Sequence, residues 1–362
     1  MTTQALPGFA RAAFATRRGR WIESPLFDLT FFVLGPVLTL LIVWGSLLNM
    51  RFAAYLGFLL AFSHYLSTLS FFAWDENRPR HRARWLAFYG GPFFITAAFC
   101  LLLVYRVPIV IQFVLFFWNV FHVSRQSCGL ASLYRHRNGV TAAGQRSATN
   151  AALLAMNFWF CLWNIESHPE VIPVFAFIGP DFARRLWIAA GVLALAMLAR
   201  LLWTLAARAR AGQPPSGPEL LILTTGIALF HPFLWLADSG GATFSMLLPH
   251  YVQYLGIVWL LHRRKFAEGS EGSPPQRVLQ RLSTSTPLWI STLLSAALGL
   301  LVLKVTAHRV GHAAAFESFY LLVAMVHFYL DGLFWAFSDP HVRRTMAPYL
   351  TGTLAPQAPG TP

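Results

Sequence analysis

The stretch that decides the fold is AAFESFYLLVAMVHFYLDGLFWAF, residues 314–337. It is apolar almost throughout and long enough for an α-helix to cross the hydrocarbon core of a bilayer. Its acidic residues are Glu317, near the start, and Asp331, one helical turn after His327. A charged side chain within a membrane span is costly, so it generally pairs with another group or binds an ion. The stretch therefore predicts both a membrane-spanning helix and a polar site inside it.

The composition extends this prediction to the whole chain. Of the 362 residues, 56% are hydrophobic and only 12% are charged, whereas a soluble domain carries about 25% charged residues. These values exclude a soluble enzyme, a disordered chain and a secreted disulfide scaffold. We predict an all-α protein, a polytopic transmembrane helix bundle whose helical domain covers 27–337.

Apolar stretches of sufficient length predict about ten spans. They are 27–48, 52–74, 85–105, 107–133, 149–165, 186–207, 219–237, 242–262, 287–304 and 314–337. A further apolar segment, 170–180, is about half a span long and is expected to be interfacial or re-entrant.

The basic residues give the orientation of these spans. Most of the 28 Lys and Arg residues fall in alternate loops, which places both the N- and C-termini in the cytoplasm by the positive-inside rule. The net charge of +14 therefore indicates orientation, and we expect no nucleic-acid partner. The expected location is the bacterial inner membrane.

Three segments lie outside the spans. Residues 1–26 are expected to be a basic cytoplasmic segment without a cleavable signal peptide. The loop 263–286 is polar and contains Gly, Ser and Pro, which predicts a flexible cytoplasmic linker. The tail 338–362 is expected to be cytoplasmic and partly disordered.

Four of the 12 histidines lie well inside predicted spans. His64, His122, His250 and His327 fall on the second, fourth, eighth and tenth spans, which all run from outside to inside in this topology. Counted from the outer ends, they lie within about 10 Å of one another in depth at about 1.5 Å per residue. Side chains on facing helices of a bundle commonly build metal sites in this way.

Each of these histidines has a hydrogen-bonding residue one helical turn further along the same face. The neighbours are Ser67 and Thr68 for His64, Gln126 for His122, Gln253 and Tyr254 for His250, and Asp331 for His327. Metal-bound imidazoles need such partners to fix their tautomer and orientation. We predict a metal site formed by the four histidines, with Gln126 and Asp331 as further ligands or hydrogen-bond partners. Asp331 and Tyr254 are the catalytic candidates.

The other histidines are less specific. His231 and His262 could join the site as additional ligands. The rest lie in loops or near helix ends and are expected to be solvated: His81, His136, His168, His308, His312 and His341.

Imidazole with one carboxylate suits iron, zinc or copper. We predict a non-haem iron oxidoreductase or oxygenase that acts on a lipophilic small molecule or lipid from the bilayer, because few other polar groups lie within the spans. The sequence leaves zinc, copper and haem open as cofactors. Two other functions stay open as well: a transporter or proton-coupled permease that uses the same His and Asp residues, and a b-type haem protein that transfers electrons.

Three segments carry a resemblance to known proteins: HxxxQ at His122–Gln126, HYVQYLGIVW from His250 and HFYLDGLFW from His327. They resemble the histidine blocks of uncharacterised bacterial polytopic membrane proteins. The overall plan is similar to that of the bacteriorhodopsin-related carotene-cleaving dioxygenases, and this similarity implies intramembrane histidines that hold iron. The closely spaced HxxHH-type boxes of membrane desaturases are missing from the sequence.

Overall fold

The computed structural model describes residues 21–34, 55–140, 143–163, 179–236, 239–267, 269 and 272–351. Within these ranges every regular element is a helix, which confirms the predicted all-α class. We number the helices in chain order. They are α1 Pro25–Asp28, α2 Tyr55–Ala73, α3 Arg78–Ala83, α4 Gly91–Val104, α5 Pro108–Arg137, α6 Ala143–Cys161, α7 Pro180–Arg210, α8 Gly217–Ile227, α9 Pro232–Trp235, α10 Ser239–Lys265, α11 Pro274–Thr284, α12 Thr286–Arg309, α13 Ala313–Phe334 and α14 Pro340–Thr351.

Six helical stretches of the described chain are long and apolar enough to cross a membrane. They are Tyr55–Ala73, Leu86–Val104, Asp181–Arg210, Gly241–Lys265, Thr286–Arg309 and Ala313–Phe334. They overlap six of the predicted spans and fall on α2, α4, α7, α10, α12 and α13. The fold is therefore that of an integral membrane protein.

The other four predicted spans have different outcomes. The spans 107–133 and 149–165 lie on α5 and α6, which are long helices but are not among the six apolar stretches. The span 219–237 is not one helix, because α8 ends at Ile227 and α9 begins at Pro232. Proline cannot donate the hydrogen bond that would continue a helix, and its ring clashes with the preceding turn. Most of the span 27–48, and the segment 170–178, lie outside the described residues.

The prediction of a flexible linker over 263–286 is wrong. Helix α10 continues to Lys265, and α11 forms an amphipathic helix over much of the remainder. Asp75 holds the start of α11, because its carboxylate accepts hydrogen bonds from the amide of Ser273 at 2.7 Å and from its hydroxyl at 2.5 Å. In return, the Asp75 amide donates to Gln276 Oε1 at 2.8 Å. The apolar residues of α11 are few and lie among polar residues, so hydropathy along the sequence does not distinguish this helix from a linker.

The tail beyond 338 also contains more structure than expected. Helix α14 covers Pro340–Thr351, and Arg264 at the end of α10 donates a hydrogen bond to the carbonyl of Tyr349 at 2.7 Å. Residues 352–362 lie outside the described chain.

Helices α2 and α10 form the middle of the bundle. In the most apolar window of α10, 78% of residues are buried, and in that of α2, 56%. The corresponding values are 22% for α7 and 11% for α12. A soluble protein cannot expose so much apolar helix surface, whereas a membrane protein presents it to lipid. Polar groups in the buried parts of α2 and α10, such as His64 and His250, are therefore shielded from both lipid and water.

One end of the bundle, here called the basic end, carries the arginine-rich helix termini. A buried ion pair stabilises it, in which Arg208 at the end of α7 contacts both carboxylate oxygens of Glu219 on α8, at 2.7 and 2.9 Å. Asn138, at the end of α5, donates to the same carboxylate at 2.9 Å. These contacts join α5, α7 and α8 where the chain leaves the apolar region.

Candidate metal centre

Four helices bring the four predicted histidines into one cluster. His64 comes from α2, His122 from α5, His250 from α10 and His327 from α13. The ring centroids of His64 and His327 are 4.3 Å apart, and those of His64 and His250 are 4.8 Å apart. His122 lies 5.0 Å from His250 and 5.3 Å from His327. The similar depths inferred from the sequence thus correspond to direct neighbours in space.

Asp331 completes a set of atoms that could bind a metal ion. Potential ligand atoms of His64, His122, His327 and Asp331 all lie within 4.8 Å of one another. The Oδ2 atom of Asp331 lies 3.6 Å from Nε2 of His327 and 3.8 Å from Nε2 of His122. Three imidazole nitrogens and one carboxylate oxygen form a donor set that suits iron, zinc or copper.

Six imidazole nitrogens of this cluster are buried without a hydrogen-bond partner among the described residues. Within the described part of the chain, both ring nitrogens of His64 and of His250 lack a protein partner, as does Nε2 of His122 and of His327. His64 and His250 are fully buried. A buried polar atom without a partner generally costs about 1–3 kcal/mol, and so many in one place require an explanation. An ion that takes up the nitrogen lone pairs would provide one.

Thr68 organises the side of the cluster formed by α2 and α13. Its hydroxyl donates to Oδ1 of Asp331 at 3.0 Å and lies 3.0 Å from Nδ1 of His327. A threonine hydroxyl has a single hydrogen. Because Asp331 accepts it, the contact with His327 requires Nδ1 to be the donor. The proton then sits on Nδ1 and leaves the lone pair of Nε2 facing the cluster, which is the state that binds metal.

Tyr254 supports the same carboxylate from α10. Its hydroxyl donates to Oδ1 of Asp331 at 2.7 Å and lies 2.6 Å from Oγ1 of Thr68. The indole Nε1 of Trp335 donates to the Tyr254 oxygen at 3.1 Å. Oδ1 is therefore held by protein hydroxyls, while Oδ2 faces the histidines.

His250 and Gln126 lie at the opposite side of the cluster. His250 adjoins the rings of His64 and His122 but is outside the four-residue set defined by ligand distance. The amide of Gln126 donates to the carbonyl of His250 at 2.9 Å and to Oε1 of Gln253 at 3.0 Å. In this arrangement Gln126 positions α10 against α5.

Aromatic rings enclose the cluster. Phe328 stacks on His122 with centroids 4.3 Å apart and an interplanar angle of 25°. Tyr251 lies 5.1 Å from His64, and Tyr65 lies 4.9 Å from His327. These walls limit the access of water to the histidines.

The two histidines considered as additional ligands have other neighbours. Nε2 of His262 lies 3.3 Å from the hydroxyl of Ser70, and its ring is surrounded by Phe71, Trp74 and Trp289. Nδ1 of His231 contacts the carbonyl of Ala228 at 2.6 Å. Neither belongs to the group of potential ligands.

The expectation that His81 is solvated is wrong. It is 2% exposed and packs against Phe72 and Phe88. Burial, followed by the charges of Arg80 and His341, lowers its pKa to about 4. The short arginine-rich helix α3 folds back onto the bundle, and this contact is not visible in its sequence.

No sequence pattern indicates which residues the hydroxyl of Thr68 contacts. Its position one turn after His64 suggested that it would support His64, whereas its hydroxyl points across to α13. The direction depends on how α2 is rotated against α13, and no local pattern encodes that rotation.

Comparison of the chain with protein-family models, with curated proteins and with solved structures finds no match.

Proposed function

We propose that this protein is an integral membrane metalloprotein, a non-haem iron oxidoreductase that acts on a lipophilic substrate. His64, His122, His327 and Asp331 hold the iron, and His250 lies beside them as a further ligand or a proton-exchanging group. The finer topology of about ten spans, with both termini in the cytoplasm of a bacterium, belongs to the same proposal.

One observation carries the proposal: three imidazoles and a carboxylate, from three different helices, place potential ligand atoms within 4.8 Å of one another. Hydrogen-bonded packing alone does not explain this arrangement, because the nitrogens that face one another lack partners. Residues that pack only for stability would pair their polar atoms.

A single ion fits this cluster better than haem does. The imidazoles contact one another directly, with centroids of neighbouring rings 4.3–5.3 Å apart. A porphyrin between two axial histidines would have to separate them. Iron supplies O₂ chemistry that side chains alone cannot perform, and this is the reason for preferring it to zinc at an apolar site.

The remaining residues have defined tasks. Thr68 and Tyr254 hold Oδ1 of Asp331 and so orient Oδ2 toward the histidines. Tyr254 is the nearest hydroxyl that could exchange a proton with Asp331, and Trp335 fixes its oxygen. The phenylalanine and tyrosine rings around the site exclude water and favour an apolar substrate.

A second function has support from one feature. Trp335, Tyr254, Asp331, Thr68 and His327 form a continuous hydrogen-bonded chain. Chains of His and acidic residues within the membrane are also found in proton-coupled transporters. A proton pathway is therefore the alternative.

Oxygen consumption tests the proposal. The protein is reconstituted in nanodiscs of bacterial lipid extract, loaded with Fe(II) and supplied with lipophilic candidate substrates. We expect O₂ uptake that depends on iron and substrate and falls at least tenfold in His327→Ala, but not in His312→Ala, which alters an exposed histidine. Proton-coupled uptake of a candidate substrate by metal-free protein, without O₂ consumption, would instead show that the protein is a transporter.

A further inference from the structure

An apolar groove lies between α2, α11 and α12, on the side of the bundle nearest the basic end. Its volume is about 560 Å³, within the range of ligand pockets. The lining residues include Ser67, Ser70, Val278, Trp289, Thr292 and Ala296. Val278, Thr292 and Ala296 are exposed, so the groove opens sideways along α12. Because α12 is a candidate span with little burial, this opening faces lipid.

Polar side chains lie at the floor of the groove. Ser70 lines the groove, and its hydroxyl lies 3.3 Å from Nε2 of the fully buried His262. Nδ1 of His262 has no hydrogen-bond partner in the part of the chain that the structure describes. The ring of Trp289, which also lines the groove, lies 5.4 Å from that of His262. An apolar groove with a few fixed polar groups is the usual form of a ligand site.

The inner end of the groove lies close to His64 along helix α2. Ser67 lines the groove, and its hydroxyl donates to the carbonyl of His64 at 2.7 Å. Three residues of helix correspond to a rise of about 4.5 Å. The inner end of the groove is therefore about one helical turn from His64. Further along α2, Ser63 contacts the carbonyl of Leu293 at 3.4 Å and brings α2 and α12 together.

Helix α11 gives the groove an amphipathic outer wall. Its apolar residues Val278, Leu279 and Leu282 line the groove, while Arg277 and Arg281 are exposed. Helices of this kind lie in the membrane interface with basic residues toward anionic head groups. A ligand in the groove would thus have its chain between the helices and its head group beside these arginines.

We propose that the groove binds the extended hydrocarbon chain of an anionic membrane amphiphile and directs it toward the metal centre. That this amphiphile is the substrate rests on the function proposed above, whereas chain binding itself does not. Trp289 lies in the groove wall and reports on occupancy.

The test uses brominated lipid chains, which quench nearby tryptophan fluorescence. The full-length protein is placed in nanodiscs of unbrominated phosphatidylcholine with increasing fractions of brominated phosphatidylglycerol or brominated phosphatidylcholine. The signal of Trp289 is the difference between the natural protein and Trp289→Phe. We expect saturable quenching, with at least threefold preference for phosphatidylglycerol. Ala296→Phe fills the mouth of the groove and should abolish saturation, while Ala189→Phe, on the exposed face of α7, should not.

Iron content and O₂ uptake of the same samples separate this proposal from the preceding one. Unchanged iron in Ala296→Phe, with lost saturation and reduced O₂ uptake, supports both. Stoichiometric iron with quenching that rises only in proportion to bulk lipid, or that Ala296→Phe does not alter, overturns the groove and leaves the metal centre standing. Saturable quenching in a protein that binds no iron supports the groove and overturns the metal centre.

Discussion

The hydroxyl of Thr68 lies 3.0 Å from Nδ1 of His327, although 259 positions separate the two residues in the chain. The same hydroxyl donates to Asp331, so one side chain determines which nitrogen of His327 carries the proton. Nε2 is left with its lone pair directed at the cluster. The contact thus links the packing of α2 against α13 to the protonation of a residue in the candidate metal site.

Thr68→Val tests this relationship, because valine has the shape of threonine without its hydroxyl. Loss of such a partner generally weakens metal binding about 10- to 100-fold. We expect that loss of affinity in a chelator competition titration. Thr96→Val is the matched control, since the Thr96 hydroxyl bonds, among the described residues, only to the carbonyl of Pro92 in its own helix, at 2.8 Å. Equal affinity in Thr68→Val and the natural protein would show that Thr68 does not set the protonation of His327.

The Arg208–Glu219 pair predicts a large effect on stability. Glu219 is fully buried, and Arg208 has no other carboxylate within 4 Å among the described residues. Removing one partner of a buried pair costs about 3–5 kcal/mol, because the other charge is left unpaired. Glu219→Ala should therefore lower the free energy of unfolding by that amount, as measured by denaturant titration in detergent.

The control for this pair is Glu317→Ala, which breaks a partly exposed contact with Lys304. Exposed pairs contribute about 0–1 kcal/mol. If the two variants lost similar free energy, the ion pair would not stabilise the basic end. The double variant Arg208→Met, Glu219→Leu should recover most of the loss, because it leaves neither charge of the pair buried without its partner.

His81 predicts how stability depends on pH. Its pKa of about 4 in the folded protein lies below the ordinary value of 6.5 because of burial and the neighbouring positive charges. Between these values the unfolded chain binds a proton that the folded chain does not, so stability falls as the pH falls from 6.5 to 4. The contribution of His81 to this fall is about 3 kcal/mol, at 1.36 kcal/mol per pKa unit.

Asp339 acts in the same direction. Burial raises the pKa of Asp339. Hydrogen bonds from Arg80 and the His341 amide, together with the charges of Arg80 and Arg84, lower this pKa by more than burial raises it, so the net shift is downward. Its stabilisation is therefore lost as the pH falls through its folded pKa.

Thermal unfolding from pH 8 to pH 4 should show a declining midpoint, with a shallower decline between pH 6.5 and 4 in His81→Phe. An unchanged slope in that variant, relative to His312→Ala, would rule out His81 as the source.

The sequence predicted the parts of this fold that depend on composition along a single helix. Residues 314–337 and five other apolar stretches correspond to candidate spans. The depth of His64, His122, His250 and His327 could be counted from helix ends, because helical rise is constant. That simple geometry explains why these histidines were expected to meet.

Other features depend on rotation and tertiary contact, which no local pattern records. Helix α11 is too short for hydropathy to separate it from a linker, and it is held by Asp75, about 200 positions earlier. His81 is buried because α3 folds against the rings of Phe72 and Phe88. Thr68 lies on the face of α2 that meets α13, and its role follows from that contact alone.

The metal content of the protein is the direct test of the proposed iron site. The purified protein, expressed with iron, zinc and copper available, is analysed by inductively coupled plasma mass spectrometry beside Asp331→Asn, the double variant His64→Ala, His327→Ala and the control His312→Ala. We predict about one iron per chain in the natural protein and in His312→Ala, and less than a tenth of that in Asp331→Asn and in the double variant. Folded protein that contains no metal, or iron that persists when His64 and His327 are removed, would contradict it.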